Sequence, residues 1–466
     1  MLNPAQPYFY LLAYVVVLYL RPQEYVPAVM GTPLVPALLL TAFGFWLVAQ
    51  AKNFEAPQHK LLPALTAAIF ISVARSDGVS SAMSSTADFV PTVLLFYIAA
   101  TSIDSVARLR WLVLVLGAVH CAIALHGIEQ AASSNGIGWT GASMVDGRIT
   151  YLGFFNDPND LAMAFLMGLP LVIWLASTHR LGIVRWAAWG VVGMVIWAIF
   201  LCNSRGSIVG ILAMATMYAV RRFGWWRSML VLPLVLGPLV LLAPSRINEM
   251  SADEESAAGR VDAWYEGFDM LRAHPLFGVG KGLFIDHNPL TAHNSFVLAI
   301  AELGIVGYYV WLSILMVSVV MLWRLLKLSP NDPLAGSGAH LDDATRARTE
   351  PPLSWTPVDG YVDPGVETPR AGVPAEGSWS ELQQVAVALA YSLLGTLVAA
   401  FFLSRSYVNI LYLLIAMIVA VFQIARVGWP ALAPVSFRAL AGRMLVLALA
   451  SIAFLWLLTR ALLTFQ

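Results

Sequence analysis

Uninterrupted apolar runs as long as a lipid hydrocarbon layer is thick recur along this chain. Two examples are VLAIAELGIVGYYVWLSILMVSVVML at 297–322 and YVNILYLLIAMIVAVFQIA at 407–425. A helix needs roughly 20 apolar residues to cross a bilayer, and a backbone inside lipid must satisfy its own hydrogen bonds, so such runs fold as packed helices. On that ruler about thirteen spans are readable, near 6–20, 33–50, 61–74, 88–101, 108–129, 160–178, 186–202, 206–220, 228–243, 295–323, 381–403, 407–425 and 443–463. The pair at 61–74 and 88–101 is the shortest and the least secure in extent. With 59% apolar and 12% charged residues in 466, the chain has too little charge to cover a water-facing surface. The fold class is therefore all-α, a polytopic membrane helical bundle of about 12–13 transmembrane helices.

Charge then orients the bundle. With the N-terminus inside, alternate loops place 17 of the 27 Lys and Arg residues on the cytoplasmic side, including the short loops KNFEAPQHK and RRFGWWR. This is the positive-inside pattern. The other ten, Arg405 among them, fall outside, and six of these lie between Arg148 and Lys281. Orientation does not account for that outer concentration. The 27 acidic residues balance the 27 basic ones, so no basic excess points to nucleic acid. Cys121 and Cys202 sit in separate apolar runs, which encodes neither a disulfide framework nor a zinc site. The opening MLNPAQPYFYLLAYVVVLYLRPQ lacks a basic leader and a small-residue cleavage site, and reads as a retained first span.

Two loops are long. The outer segment 244–292 carries Trp264, Phe268 and Leu271 at helical spacing behind the acidic cluster 253–255, which suggests an amphipathic helix on the outer face. The inner segment 328–380 is rich in Pro, Gly, Asp and Thr and reads as a flexible insertion. The corresponding division of the chain is 1–150, N-terminal helices; 151–327, a central region including the outer loop 244–292; 328–380, the insertion; and 381–466, C-terminal helices.

Several polar residues at outer span ends admit two readings. In AHNSFVLAIAELGIVG, Asn294 or Ser295 caps a helix and His293 is interfacial, or the trio lines a wet site. Gly304 and Gly307 would let a neighbouring helix approach closely. Glu302 either pairs with a cation or faces a wet cavity. Arg205 in CNSRGSIVG is a snorkelling arginine, or one half of an anion site built with a helix N-terminus. Arg260 and Arg272 either balance the acidic cluster or serve the same anion. GVGKG at 278–282 is not a phosphate loop, because position 275 is Pro and Lys281 is followed by Gly282. In NDPND, Asp157 as cap, Pro158 at the first position and Asp160 at the third would begin the next span. His120 and His126 lie inside a span and read as buried polar contacts rather than metal ligands.

The spacing His293, Asn294, nine residues, Gly304, two residues, Gly307 resembles the signature of the O-antigen ligase and polymerase superfamily. NDPND at 156–160, NSRGS at 203–207, GR…W at 259–264 and HPLFGVGKGLF at 274–284 are similar to segments found in that order in the family. The resemblance covers about 150–323 and implies a GT-C-like bundle of about twelve spans under a long periplasmic loop containing short helices. It also implies a bacterial inner-membrane location with the site facing the periplasm. Carried onto this chain, it implies a glycosyltransferase in which Arg205 and Arg260 hold the pyrophosphate of an undecaprenyl-pyrophosphate-linked glycan donor and His293 acts on the acceptor hydroxyl. Asn294, Arg272, Lys281 and Glu302 would support them, with no metal or cofactor and with inversion at the anomeric carbon.

The acceptor stays open among lipid A–core oligosaccharide for a ligase, a growing glycan for a polymerase, and a protein hydroxyl. The dominance of one outer loop favours the ligase-like reading, and the short tail after the last span disfavours the protein acceptor. A transporter or flippase of lipid-linked sugars is the alternative from another class. It would spread basic residues through the spans, whereas here they gather on one face.

Overall fold

A computed structural model describes residues 3–49, 52–178, 182–229, 250–328, 376–429 and 432–464. The helices are α1 (Pro7–Leu20), α2 (Leu34–Val48), α3 (Gln58–Ser76), α4 (Gly78–Ser102), α5 (Val106–Ala132), α6 (Pro158–Thr178), α7 (Gly182–Cys202), α8 (Arg205–Phe223), α9 (Met250–Ala273), α10 (Ser295–Lys327), α11 (Glu376–Ala400), α12 (Asn409–Gly428) and α13 (Phe437–Leu463). Eight of them, α4, α5, α6, α7, α10, α11, α12 and α13, are long and apolar enough to cross a membrane, and α1 and α2 are shorter apolar helices. No strand occurs among the described residues; two isolated antiparallel bridges, Ile137 with Ser143 and Val145 with Arg148, pin the loop after α5. The protein is a multi-pass helical membrane protein.

Twelve of the thirteen expected spans coincide with helices, and the run 228–243 falls almost wholly outside the described residues. Both of the shortest runs are undercut by the sequence reading. Helix α3 covers 58–76 and α4 covers 78–102, each with an internal proline, Pro63 and Pro91. Proline ends a helix in water, but in a packed membrane bundle neighbouring helices keep the freed carbonyls satisfied. The insertion expected at 328–380 lies mostly outside the described residues, except that α11 already begins at Glu376.

Helices α6 and α12 form the centre. Almost every residue from Leu161 to Leu175 and from Ile410 to Phe422 is buried. Helix α6 packs on α5, α7, α8 and α11, and α12 packs on α4, α10 and α11. At the periphery, α7 and α13 expose large apolar side chains such as Ile183, Trp186, Val446 and Leu457, a surface suited to lipid. Buried His120 turns its two ring nitrogens to the carbonyls of Leu116 and Ala164, which can only accept from it, and buried His126 meets the Thr140 hydroxyl at 2.8 Å, so both serve as polar contacts.

The outer loop does contain a helix, α9, and its Trp264 and Phe268 are buried. Rather than only lying along a membrane surface, α9 packs on α10 and α13. Helix α10 is broken at Gly304, whose φ of 63° and ψ of −168° are available to glycine alone. A Cβ there would stand 2.5 Å from the Leu276 carbonyl carbon, and one at Gly278 would stand 2.4 Å from the Ala301 oxygen. Two backbones thus meet where no side chain fits. Val279 and Gly280 donate to the carbonyls of Ala301 and Glu302, while Ile305 and Val306 donate to those of Pro275 and Leu276, at 2.9–3.1 Å. The expected close approach of another helix at Gly304 is therefore a close approach of the 275–280 loop, because only an extended segment can supply the hydrogen bonds that the break releases. At Gly307 an added Cβ would meet Leu303 of the same helix, so that glycine relieves crowding beside the break.

Candidate functional site

Helices α6, α8 and α10 all begin on the face opposite the basic loops, and their first residues converge. Helix α6 starts with Asp157 as its cap: the Asp157 carboxylate accepts the Asn159 amide at 2.7 Å, and its carbonyl accepts that of Leu161. Helix α8 starts at Arg205 after a left-handed Asn203, with Gly206 lying 3.1 Å, measured from an added Cβ, from Phe402. A larger residue at 206 would push α8 off the loop 401–408. Helix α10 starts after Asn294, whose Oδ1 accepts the amides of Phe296 and Val297 at 2.9 and 3.2 Å. The capping reading of Asn294 holds, although its Nδ2 is buried without a hydrogen-bond partner among the described residues.

His293 precedes that cap in left-handed backbone, φ 47°, a conformation few non-glycine residues adopt. This turn swings the half-buried imidazole off the helix axis. Four hydrogen bonds hold it there. Trp264 of α9 donates its indole N–H to the Ala292 carbonyl at 2.8 Å. The Ser295 hydroxyl donates to the Leu403 carbonyl at 2.5 Å and accepts the Arg405 amide at 2.8 Å, and the Ser406 hydroxyl donates to the Ser295 carbonyl at 2.7 Å.

The charges form one group. Arg260 lies one helical turn before Trp264, so the residue that anchors α9 to Ala292 also aims Arg260 towards His293. Burial first, and then the neighbouring Arg205, lower the Arg260 pKa, while Asp157 raises it. Burial is also the largest influence on His293, followed by Arg260; Asp157 opposes them and Arg405 adds to them, and the net shift is below 6.5. At neutral pH the imidazole is uncharged beside two guanidiniums. The N-terminal end of α8 adds the positive pole of a helix dipole to the same place.

Arg405 and Asp160 join this group without having been singled out as site residues from sequence. Asp160 is fully buried, and Arg405 grips both of its oxygens, Nε to Oδ1 at 2.6 Å and Nη2 to Oδ2. Sequence places the two 245 positions apart. Their only sequence signals are an arginine on the outer face that orientation does not explain and an acidic residue in the first turn of a span. Arg148 stands alongside, donating to the Cys202 carbonyl at 2.8 Å and to Asn159 at 2.6 Å, which ties the end of α7 to the start of α6.

The remaining candidates are elsewhere. Arg272 pairs with Asp269 across one turn of α9 and is largely exposed. Lys281 reaches the Ser85 carbonyl of α4 at 3.3 Å and stands 5.9 Å from the Tyr407 ring. Glu302 is buried at the break in α10, where Oε1 accepts the Gly282 amide at 2.9 Å. Lys281 and Glu302 feel each other's charge, but among the described residues Glu302 is in no ion pair and Lys281 turns to Ser85. In GVGKG the amides of Val279, Gly280 and Gly282 donate to α10 and that of Gly278 to the His274 carbonyl, so the segment is not arranged as an anion cradle. Among the described residues no group of three or more His, Cys, Asp or Glu side chains gathers at metal-binding distance.

The fold and this outer-face group of histidine and arginines define a class, a multi-pass helical membrane protein with a cationic site at the ends of its spans. Residues 194–312 match the O-antigen ligase family model, and a domain of the O-antigen ligase superfamily therefore lies at the centre of this chain. The match contains Arg205, Arg260, His293, Asn294 and both glycines of the α10 break; Asp157, Asp160 and Arg405 fall outside it. The family is one of glycosyltransferase-type membrane enzymes. No curated protein matches the chain.

Proposed function

We propose that this protein transfers a glycan from undecaprenyl pyrophosphate to an acceptor hydroxyl on the periplasmic face of the bacterial inner membrane, with lipid A–core oligosaccharide as acceptor. The observation that carries the reading is the placement of His293, neutral and half-buried, within the field of Arg260, which is itself beside Arg205. In the reaction the imidazole takes the proton of the attacking sugar hydroxyl. The hydroxyl oxygen bonds to the anomeric carbon, and the bond from that carbon to the pyrophosphate oxygen breaks on the opposite face, which inverts the centre. Undecaprenyl pyrophosphate leaves with one more negative charge, and Arg205, Arg260 and the α8 N-terminus stabilise it where water is scarce.

A lipid-linked donor also suits the flank of α8. Below Arg205, a cavity of about 660 Å³ between α6, α8 and α11 is lined by apolar residues including Pro170, Ile173, Met214 and Ala388. The apolar part of such a groove suits an isoprenoid chain, with Arg221, Arg222 and Gln384 also in its lining.

The test is a glycan and lipid profile of the host carrying wild type, a deletion or His293→Ala. Loss of glycan-capped lipid A–core with long polymer left on the lipid carrier is the expected outcome for the deletion and for His293→Ala alike. Accumulation of single lipid-linked repeats would identify a polymerase instead. A normally expressed His293→Ala that reproduces the wild-type profile while the deletion does not would overturn the catalytic role.

A further inference from the structure

Beside Arg405 the protein forms a second cavity of about 650 Å³, within the ~300–1,000 Å³ of ordinary small-molecule sites. It is built from outer-face ends: the end of α1, the loop from Arg21 to Pro36, the first half of α4, Phe154 and Phe155 before α6, and the segment 407–410 leading into α12. Phe154 is shared with the candidate site, since the Arg405 guanidinium lies over its ring at 5.2 Å. The cavity therefore opens beside the residues that surround His293.

Its lining mixes aliphatic residues such as Leu18, Leu34 and Ile410 with polar and aromatic ones. Arg21 is already paired with Glu24, Nε to Oε1 at 2.5 Å, and Thr92 donates to Asn409. That leaves Asp88 as the one carboxylate of the lining outside an ion pair among the described residues, and the lining has a net charge of −1. Lys281, beside Asp88 and the Tyr407 ring, offsets that charge, so the cavity suits a neutral ligand. Tyr19, 1% exposed, and Gln23 each carry a buried oxygen, Oη and Oε1, without a hydrogen-bond partner among the described residues. Buried polar atoms of that kind cost free energy unless a ligand or water completes them. The walls are pre-shaped: Arg21 is in left-handed backbone, and Gly153 leaves room for its guanidinium, where any Cβ would overlap it at 1.6 Å.

We propose that this cavity is the acceptor subsite and holds one or two neutral sugar residues. The cavity adjoins the candidate site through Phe154, whose ring the Arg405 guanidinium covers, and Arg405 in turn acts on His293. Asp88, Gln23 and Asn409 offer acceptors and an amide to sugar hydroxyls, while half-buried Phe154 offers a ring face to the C–H side of a pyranose. The assignment rests on the transfer reaction proposed above.

Two measurements test it on the purified full-length protein. Saturation-transfer NMR with lactose, maltose and chitobiose reads saccharide binding directly; at least one should give a signal that His293→Ala retains and that Asp88→Ala and Gln23→Ala reduce about fivefold or more, the loss of a single hydrogen bond of ~1 kcal/mol. Asp88 is exposed, so its truncation does not threaten the fold, and Asp88→Asn serves as the conservative control. In liposomes holding host donor and acceptor lipids, the same two variants should raise the KM for acceptor by a similar factor and leave that for donor within twofold. No saccharide signal, equal signals in all variants, or a donor KM that moves instead would each overturn the assignment. Saccharide binding that depends on Asp88, together with transfer indifferent to His293→Ala, would sink the transfer mechanism and leave the cavity a sugar site.

Discussion

Arg405 and Asp160 form a two-pronged ion pair in which the carboxylate is fully buried and the guanidinium is about a third open to solvent. The pair joins the start of α6 to the loop that grips Ser295, next to His293. Removing either partner alone strands the other charge. Arg405→Ala and Asp160→Ala should each destabilise the protein by about 3 kcal/mol, the low end for a buried pair because one side is partly hydrated. Arg405→Lys should recover little, since a point charge cannot hold both oxygens. Melting curves of the detergent-solubilised variants check this; a Lys variant as stable as wild type would show that the forked geometry is dispensable.

Trp264 makes a separable contribution. Its indole bond to the Ala292 carbonyl sets the approach to His293, while its ring packs against Phe401 in an edge-on contact. Trp264→Phe keeps most of the packing and loses the bond, so stability should fall by only ~1 kcal/mol. Transfer per molecule of folded protein should fall tenfold or more, because an ångström of misplacement at a reacting group is costly. Glycan transfer normalised to membrane protein level reads this, and unchanged transfer would remove Trp264 from any positioning role.

The bundle was legible in the sequence because lipid leaves a spanning backbone few choices, and the apolar runs mark where the helices lie. Their ends were less legible. The polar stretch GVSSAMSSTAD reads as loop by composition, yet it forms the first turns of α4, since it sits at the outer end, where water reaches it. Arg205, Arg260 and His293 stood out because each is a polar residue at an apolar boundary. Asp160 did not, because an acidic residue in a first turn looks the same whether it merely favours the helix dipole or is bound 245 positions away. Gly304 was visible as a glycine at a fixed distance from His293, but its spacing does not say whether a helix or a loop comes close.

That distinction gives the next prediction. With φ 63° and ψ −168°, Gly304 occupies backbone space barred to other residues, and an added Cβ would collide with three backbone atoms of 276–278 at 2.5–2.6 Å. Backbone cannot rotate away as a side chain can. Gly304→Ala should therefore cost on the order of 3 kcal/mol or more and detach the 275–280 loop. Hydrogen exchange at Val279 and Gly280, whose amides are held by α10, should speed up before the rest of the protein does; protection equal to wild type there would contradict the docking argument.

The pH dependence follows from the charges around His293. Its pKa is held below 6.5, first by burial and then by Arg260, so the imidazole is already neutral, and competent as a base, at mildly acidic pH. The acid limb of kcat/KM should accordingly fall below pH 6.5. Asp157 acts in the opposite sense: its negative charge favours the imidazolium and raises the pKa. Asp157→Asn removes that charge and still offers an oxygen to the Asn159 amide, so the cap of α6 survives. The limb should then move further to the acid side, with kcat at pH 7 nearly unchanged. A shift to higher pH in Asp157→Asn would mean that the group titrating in the limb is not His293 beside Asp157, and the base would have to be sought elsewhere.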